Sequence, residues 1–303
     1  MLNFFKKRKG ERTSNESDEA DQRKSKRNLS VVAIVKNEKD YLIEWLAHHR
    51  CLGVEHFYIA DNGSDDGSFE LLQSLEKEGF LTLTYWPLKE KAQHRWYNHA
   101  LEKYGSSSRY LAFIDADEFI DLSGGPCLKS KVRELMTSDH AGAVACEWRI
   151  HGSSGHERRT PGMVIERFPR AGKRERHVNR HIKSIVKPAA VERMWAHSAD
   201  LVDGYHYLAS SGDRVAFINQ NPRSGRSQHV LSDCITVKHY AVKSLQEYIE
   251  KKQKKGRANL GPEKERHAAY FENHDMNDTD ASFSNEWIKR VKDEIVYLQS
   301  FVA

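Results

Sequence analysis

Short apolar runs alternate with amphipathic segments over the first part of the chain. The β-branched and aromatic runs that predict buried strands are 30–35, 56–60, 81–86 and 109–114. The segments between them that carry apolar residues at helical spacing are 38–53, 68–80 and 92–105. Strands that alternate with helices predict an α/β fold, in which a mostly parallel sheet is covered by helices on both sides.

The pattern is less regular after residue 125. A strand is predicted at 142–150, and a shorter strand-like run at 181–187 lies within a stretch rich in Gly, Arg and His. The segments 242–256 and 285–301 predict C-terminal helices, and the second of them is amphipathic. We therefore expect one domain over 29–303, in which strands and helices alternate regularly only up to about residue 125.

Composition narrows the class of protein. Lys plus Arg (48) exceed Asp plus Glu (43) by only five, which does not require a nucleic-acid partner. The four cysteines are scattered and form no Cys-x-x-Cys pair, so reduced thiols in a cytoplasmic protein fit better than disulfides or a cysteine zinc site. No apolar run reaches the ~20 residues of a membrane helix.

The first 28 residues are polar, highly charged and poor in apolar side chains, so we predict a disordered tail without a signal peptide. Phe4, Phe5 and the basic residues that follow them would suit a peripheral contact with an anionic membrane, at its inner face. A solvated tail is the favoured alternative, because chain ends are commonly free in solution.

The stretch "IADNGSDDGS" (59–68) joins a predicted strand to a predicted helix. Its carboxylates do not follow EF-hand spacing, because Gly63, Asp66 and Leu72 stand at the third, sixth and twelfth positions after a start at Asp61. A loop after the carboxyl end of a strand lies at the edge where open α/β sheets bind ligands.

A second acidic motif follows the fourth strand. Asp115 and Asp117 would point the same way if the chain stayed extended, and paired carboxylates suit Mg²⁺ or Mn²⁺. Asp278 and Asp280 repeat the spacing, but they lie in a polar stretch that favours a solvated loop or helix cap.

These motifs resemble those of nucleotide-sugar-dependent glycosyltransferases of the GT-A fold, in the family 2 superfamily, and most closely its family 92-like branch. The similar segments are "VKNE" (35–38), "DNGS" (61–64), "DADEF" (115–119) and "VKHYAVKSLQEY" (237–248). The resemblance covers about 30–122 in order and is patchier later. It implies a Rossmann-like, GT-A-type sheet, with a nucleotide-binding half at 29–125 and an acceptor half with the C-terminal helices at 126–303.

The resemblance also implies roles for individual residues. Asp61 would bond the base of the donor, Asn62 and Asp65 would shape the loop, and Asp65 stands where the family more often has Thr. The other residues that it places near the donor are Asn37, Glu38, Gln93, Arg95 and Asn98. Asp115 and Asp117 would hold Mn²⁺ or Mg²⁺, with His239 as the first choice for a further ligand and His197 as the second.

The implied reaction transfers a sugar from a nucleotide-sugar donor to a glycan or lipid-linked acceptor, with inversion at the anomeric carbon. Inversion calls for a carboxylate base, and the sequence leaves Glu147 and Asp203 open as candidates. One alternative is a nucleic-acid-binding protein that uses the basic segment 167–187, although acidic residues at the ligand edge argue against it. Another is a nucleotidyltransferase, which would share the metal carboxylates but not the "KNE" and "DNGS" segments.

Overall fold

The structure is a computed structural model that describes residues 26–123, 127–231, 234–253 and 268–302. Nearly all of the predicted N-terminal tail lies outside these residues, and so does the end of the predicted helix at 242–256. None of the helices within the described ranges is long and apolar enough to span a membrane.

The first part of the chain contains the predicted alternation of strands and helices, with ends shifted by at most a few residues. The elements are β1 (Arg27–Val35), α1 (Lys39–Cys51), β2 (His56–Asp61), α2 (Ser68–Lys77), β3 (Leu81–Tyr85), α3 (Ala92–Tyr104) and β4 (Ser108–Phe113). Trp45 of α1 and Trp96 of α3 are fully buried, because the two helices pack on opposite faces of the sheet.

The later part of the chain is more regular than the sequence pattern predicts. Its strands are β5 (Glu118–Leu122), β6 (Ala141–Ile150), β7 (Arg170–Ala171), β8 (Ile182–Val186), β9 (Val191–Met194), β10 (Ala199–Leu201), β11 (His206–Leu208), β12 (Ile235–His239) and β13 (Thr279–Asp280). Its α-helices are α4 (Leu128–Leu135), α5 (Val164–Arg167), α6 (Leu245–Glu247), α7 (Ala268–His274) and α8 (Asn285–Gln299). A π-helical segment, Tyr248–Gln253, continues α6.

One large sheet joins both parts of the chain, in the order β3-β2-β1-β4-β8-β6-β12-β5. The strands β3, β2, β1 and β4 pair in parallel with one another. The strand β8 is antiparallel to β4 and β6, and β5 is antiparallel to β12. The order 3-2-1-4 reverses between β1 and β4, and ligands bind at such a switch point, beyond the carboxyl ends of the strands. The predicted α/β class, with a mostly parallel sheet flanked by helices, is confirmed.

The chain does not stay extended through the second acidic motif, so the condition under which Asp115 and Asp117 would point the same way is not met. The backbone turns after β4, where the Glu118 amide donates to the Asp115 carbonyl (3.1 Å), and it enters β5 directly. Asp115 and Asp117 therefore belong to a tight turn between two strands. The indole of Trp45 holds this turn from α1, because it donates to the carbonyls of Asp115 and Glu118.

Candidate active site

The buried carboxylate of Asp61 lies at the carboxyl end of β2. Its Oδ1 accepts hydrogen bonds from the amides of Gly63 (3.0 Å) and Ser64 (2.9 Å), which turns the loop away from the strand. Its Oδ2 is also buried, and no residue in the described part of the chain donates a hydrogen bond to it. Leaving a buried carboxylate oxygen unsatisfied is costly, so this atom is suited to accept a hydrogen bond from a ligand.

Loops after three adjacent strands are joined around Asp61. Asn37 donates to Asp65 Oδ1 (2.8 Å), and its own Oδ1 accepts from the Asp65 amide (2.9 Å). Asn62 donates to the carbonyls of Trp86 (2.7 Å) and Leu88 (2.9 Å). The structure therefore places Asn37, Asn62 and Asp65 as residues that shape the loops.

The turn after β4 is held by side chains from elsewhere in the fold. Asp115 Oδ1 accepts from Gln93 Nε2 (2.6 Å) and Tyr97 Oη (3.0 Å), both from α3. Asp115 Oδ2 lies 2.9 Å from the ammonium of Lys183, which β8 contributes. Both oxygens of Asp115 therefore accept hydrogen bonds from protein side chains, and the Asp115 side chain is 31% exposed.

Glu118 and Lys183 are parts of the site that the sequence analysis did not identify. Glu118 is fully buried, and its oxygens accept from the Trp148 indole (2.8 Å) and the Asp115 amide (2.8 Å). Lys183 Nζ lies 3.4 Å from Glu118 Oε2 and is 1% exposed. Glu118 lies within the "DADEF" motif, but Lys183 resembles any other cation of its basic segment, and only the strand pairing brings it to this turn.

Burial and the neighbouring charges shift the pKa values of Glu118 and Lys183 in opposite directions. Burial raises the pKa of Glu118, and the neighbouring Lys183 lowers it. Burial alone would lower the pKa of Lys183, but Asp115 and Glu118 outweigh it and raise the pKa above its usual value. Both oxygens of Glu118 accept hydrogen bonds, so the geometry fits its carboxylate form beside a charged ammonium.

Asp117 faces a histidine. Its Oδ2 lies 3.4 Å from Nε2 of His239, the last residue of β12. The His239 ring packs against Trp148 with ring centroids 4.3 Å apart, and His197 packs against the same indole at 5.1 Å. His197 also bonds the Ile182 carbonyl through Nδ1 (3.3 Å), and burial together with Lys183 keeps its pKa well below the usual value.

The four predicted metal ligands do not form one ready-made metal site. Within the described ranges, no group of three or more His, Cys, Asp or Glu side chains is arranged to hold a metal ion. Asp115 has protein donors on both oxygens, whereas Asp117 and His239 lie side by side. The pair whose chemistry suits a divalent cation is therefore Asp117 with His239.

The Glu147 carboxylate lies on the opposite face of the sheet from the Trp148 indole. Glu147 neighbours Trp148 in β6, and consecutive strand residues point to opposite faces. Trp148 points towards Glu118, so Glu147 points away, where it accepts from Ser227 Oγ and from the Leu231 amide (2.6 Å). We therefore withdraw Glu147 as a candidate base, because its carboxylate secures the segment 227–231.

Asp203 is also misplaced for catalysis. It is exposed in the turn between β10 and β11, and β11 pairs with the first residues of β6 through His206 and Ala141. His239 lies beyond the other end of β6, where it accepts from the His151 amide. A ten-residue strand thus separates Asp203 from the acidic turn, and we withdraw it as a candidate base.

The other residues that the resemblance placed near the donor differ in what they contact. Gln93 is buried and bonds Asp115, whereas Arg95 is exposed on the first turn of α3. Asn98 exchanges hydrogen bonds with the backbone of Met194, so it fastens β9 to α3. Glu38 precedes α1, and its amide donates to Ser68 Oγ (2.9 Å), which links the first and second loops.

The basic segment 167–187 is folded into the protein. Arg167 pairs with Glu247, Arg176 with Asp278, and Lys183 with Asp115. Arg170 donates to the carbonyls of Asn277 and Asp278. Because these cations already have partners within the fold, the segment is a poor candidate for a nucleic-acid surface.

The fold and the two loops define an α/β protein with an acidic, histidine-flanked edge of its sheet. The sequence model of glycosyltransferase family 92 matches residues 30–267. The chain therefore belongs to glycosyltransferase family 92. This membership favours the glycosyltransferase hypothesis over the nucleic-acid-binding and nucleotidyltransferase alternatives.

Curated relatives agree on the family. A family 92 protein from Oryza sativa subsp. japonica is 28% identical over 202 residues, which are 65% of this chain and 33% of the relative. A family 92 protein from Arabidopsis thaliana is 30% identical over 207 residues, which are 64% of this chain and 35% of the relative. The chain spans about a third of the length of the curated relatives that it matches.

Solved structures give more distant likenesses. TarS from S. aureus is 13% identical, with a TM-score of 0.42, over 70% of this chain and 60% of that chain. Glucosyl-3-phosphoglycerate synthase from Mycobacterium tuberculosis is 18% identical, with a TM-score of 0.27, over 48% of this chain and 51% of that chain.

Proposed function

We propose that this protein transfers a sugar from a nucleotide-sugar donor to a glycan or lipid-linked acceptor, with inversion and with Mn²⁺ or Mg²⁺ at the site. The observation that carries the proposal is the unpartnered, buried oxygen of Asp61 at the switch point of a sheet in a family 92 chain. Inversion follows only from the resemblance to family 2-type enzymes.

Asp61 is placed to read the base of the donor. Its Oδ1 is committed to the loop amides, and its Oδ2 has no donor in the described part of the chain, so a base must offer it an N–H group. The ring N–H of uracil, thymine or guanine supplies one directly from the ring, whereas cytosine and adenine have N–H groups only on their exocyclic amino nitrogens. We therefore expect a uridine, thymidine or guanosine diphosphate sugar.

Asp117 and His239 are the side chains that would hold the divalent cation. When bound, the cation neutralises the charge that develops on the leaving nucleoside diphosphate. Asp115 would contribute differently, because Gln93, Tyr97 and Lys183 fix its carboxylate beside the turn. Trp148 helps to position Asp117 and His239, because its ring packs against His239 and its indole N–H donates to Glu118.

Calorimetry with UDP, run with and without Mn²⁺, tests this assignment. Wild type is expected to bind UDP more tightly with Mn²⁺, and Asp117→Asn is expected to lose that gain while UDP still binds without metal. Asp121→Asn is the matched control, because it removes the charge of a different carboxylate. Asp121 lies in β5 and pairs with Lys238. Equal Mn²⁺ dependence in wild type and Asp117→Asn would contradict the metal assignment.

A further inference from the structure

A buried lysine stands between the two carboxylates that begin and end the acidic turn. Lys183 Nζ is 2.9 Å from Asp115 Oδ2 and 3.4 Å from Glu118 Oε2. It also donates to the Ala196 carbonyl (3.0 Å), which links the turn to the segment that leads to His197. An ammonium of this kind is retained only where carboxylates offset the cost of burying it.

Hydrogen bonds hold the turn at Asp115, Asp117 and Glu118. The Asp115 amide donates to Glu118 Oε2 (2.8 Å), and the Glu118 amide donates to the Asp115 carbonyl. The Asp117 carbonyl accepts from the Tyr240 amide (2.9 Å), next to His239. The position of Asp117 is therefore set by the two neighbours that Lys183 holds together.

Three carboxylates, those of Asp115, Asp117 and Glu118, crowd four consecutive positions of the chain. Lys183 supplies a fixed positive charge to the two that are turned inward, and the third faces His239. Lys183 thus offsets the charges of Asp115 and Glu118, whereas Asp117 is paired with His239. Without Lys183, the carboxylates of Asp115 and Glu118 would lack their counter-ion.

We propose that Lys183 is a positioning residue, whose ammonium neutralises Asp115 and Glu118 and so directs the divalent cation of the proposed reaction to Asp117 and His239. This inference rests on the proposed function, because it concerns where the cation of that function binds. It assigns to a residue of the basic segment a part in the donor site that does not involve contact with nucleic acid or substrate.

Binding of Mn²⁺ alone, followed by electron paramagnetic resonance, separates positioning from packing. Lys183→Met leaves two inward carboxylates without their counter-ion, so we expect its Mn²⁺ affinity without nucleotide to rise about tenfold. We also expect its UDP affinity at saturating Mn²⁺ to fall about tenfold, because the cation is drawn away from Asp117. A purely structural lysine would lower stability without a gain in metal affinity.

Lys238→Met is the matched control, because Lys238 is also buried, lies on β12 of the same sheet and pairs with a carboxylate, Asp121 (3.2 Å). Its Mn²⁺ affinity is expected to match that of wild type. Lys183→Gln, which keeps a hydrogen-bond donor near Asp115, serves if Lys183→Met does not fold, and the same gain in Mn²⁺ affinity is expected.

Two results would overturn the role of Lys183. One is a Mn²⁺ affinity within about twofold of wild type in the folded Lys183 variants, and the other is an equal gain in Lys238→Met. Failure of the wild-type chain to bind any of UDP, dTDP and GDP in the presence of Mn²⁺ would instead overturn the donor proposal. The comparison with Mn²⁺ alone would still decide whether Lys183 shields the inward carboxylates.

Discussion

At the scale of single residues, Asp61 makes the sharpest prediction. Asp61→Asn keeps an oxygen for the loop amides but removes the charge from the atom that would accept the base N–H. A hydrogen bond to a charged group contributes about 1.5–3 kcal/mol, which corresponds to a loss of roughly tenfold to over a hundredfold in UDP affinity. Calorimetry at saturating Mn²⁺ measures this loss.

Asp203→Asn is the control for that experiment. Asp203 is exposed at the far end of β6, so its UDP affinity is expected to equal that of wild type. If the two variants bound UDP equally well, Asp61 would not read the base. A defect confined to Asp203→Asn would also show that the base was assigned to the wrong edge of the sheet.

Residue types alone could locate part of this site. Asp61 and Asp115 could be predicted because each comes directly after a buried strand, and the carboxyl ends of parallel strands share an edge. Glu147 could not be excluded in the same way, because the face that a strand residue occupies depends on its neighbours in the sheet. Lys183 was missed for a related reason, since the antiparallel pairing of β8 with β4 cannot be seen in a basic run.

At the scale of elements, His48 joins three of them. Its Nε2 donates to the Ile120 carbonyl of β5 (2.7 Å), and its Nδ1 accepts from the Trp287 indole of α8 (3.1 Å). These bonds fit a neutral ring, and burial lowers the pKa of His48 to about 3. Packing of α1 on α8 therefore depends on a histidine that stays uncharged.

This lowered pKa makes stability depend on pH. The unfolded chain takes up the proton near pH 6.5 and the folded chain only near pH 3, so stability is lost as the pH falls through this window. Between pH 7 and pH 5, His48 alone would lower the free energy of unfolding by about 2 kcal/mol. Urea unfolding of wild type and His48→Gln at both pH values measures the difference.

The comparison isolates His48 because other buried histidines are present in both proteins. His229→Gln, on an exposed loop, is the control and should keep the full wild-type difference between the two pH values. A pH dependence in His48→Gln equal to that of wild type would show that His48 does not contribute to it.

Helix ends illustrate what local sequence determines. Gly53 has a left-handed φ of 92° just after α1, which glycine adopts without strain. Gly105 stands at the corresponding place after α3, but its φ is −58° and it begins a short 3₁₀ turn. The π-helical continuation of α6 has no sequence signal that separates it from an ordinary helix.

At the scale of the whole molecule, a buried ion pair ties the later part of the chain to the first. Arg167 makes two hydrogen bonds of 2.9 Å to Glu247, and Tyr41 of α1 donates to the same carboxylate (2.7 Å). Arg167→Met leaves Glu247 buried without its counter-ion, so we expect a loss of about 3–5 kcal/mol. Urea unfolding gives the value.

Arg176→Met is the comparison, because Arg176 is half exposed and pairs with Asp278 on the surface (3.1 Å). Exposed pairs contribute less than about 1 kcal/mol, so this variant should unfold almost as wild type does. Equal losses in the two variants would mean that burial does not make the Arg167–Glu247 pair more important for stability than an exposed pair.

The class of ligand can be tested on the intact protein by thermal unfolding with nucleotides. A ligand at a hundred times its dissociation constant stabilises the folded state by about 2.7 kcal/mol, so binding raises the unfolding midpoint. We expect UDP, dTDP or GDP to raise it in the presence of Mn²⁺, because their bases carry a ring N–H that Asp61 can accept. CDP should raise it less, because the cytosine ring lacks that group, and Asp61→Asn should reduce the difference between UDP and CDP.

A single-stranded oligonucleotide completes the panel and tests the alternative function. The net charge is only +5, and Arg167, Arg176 and Lys183 of the basic segment are paired within the fold. Non-specific binding to nucleic acid needs free cations and weakens steeply with salt. We therefore expect no stabilisation by the oligonucleotide at physiological salt. If the oligonucleotide raised the unfolding midpoint and no nucleoside diphosphate did, the nucleic-acid-binding alternative would replace the proposed function. The basic segment, and not the acidic turn, would then bind the ligand.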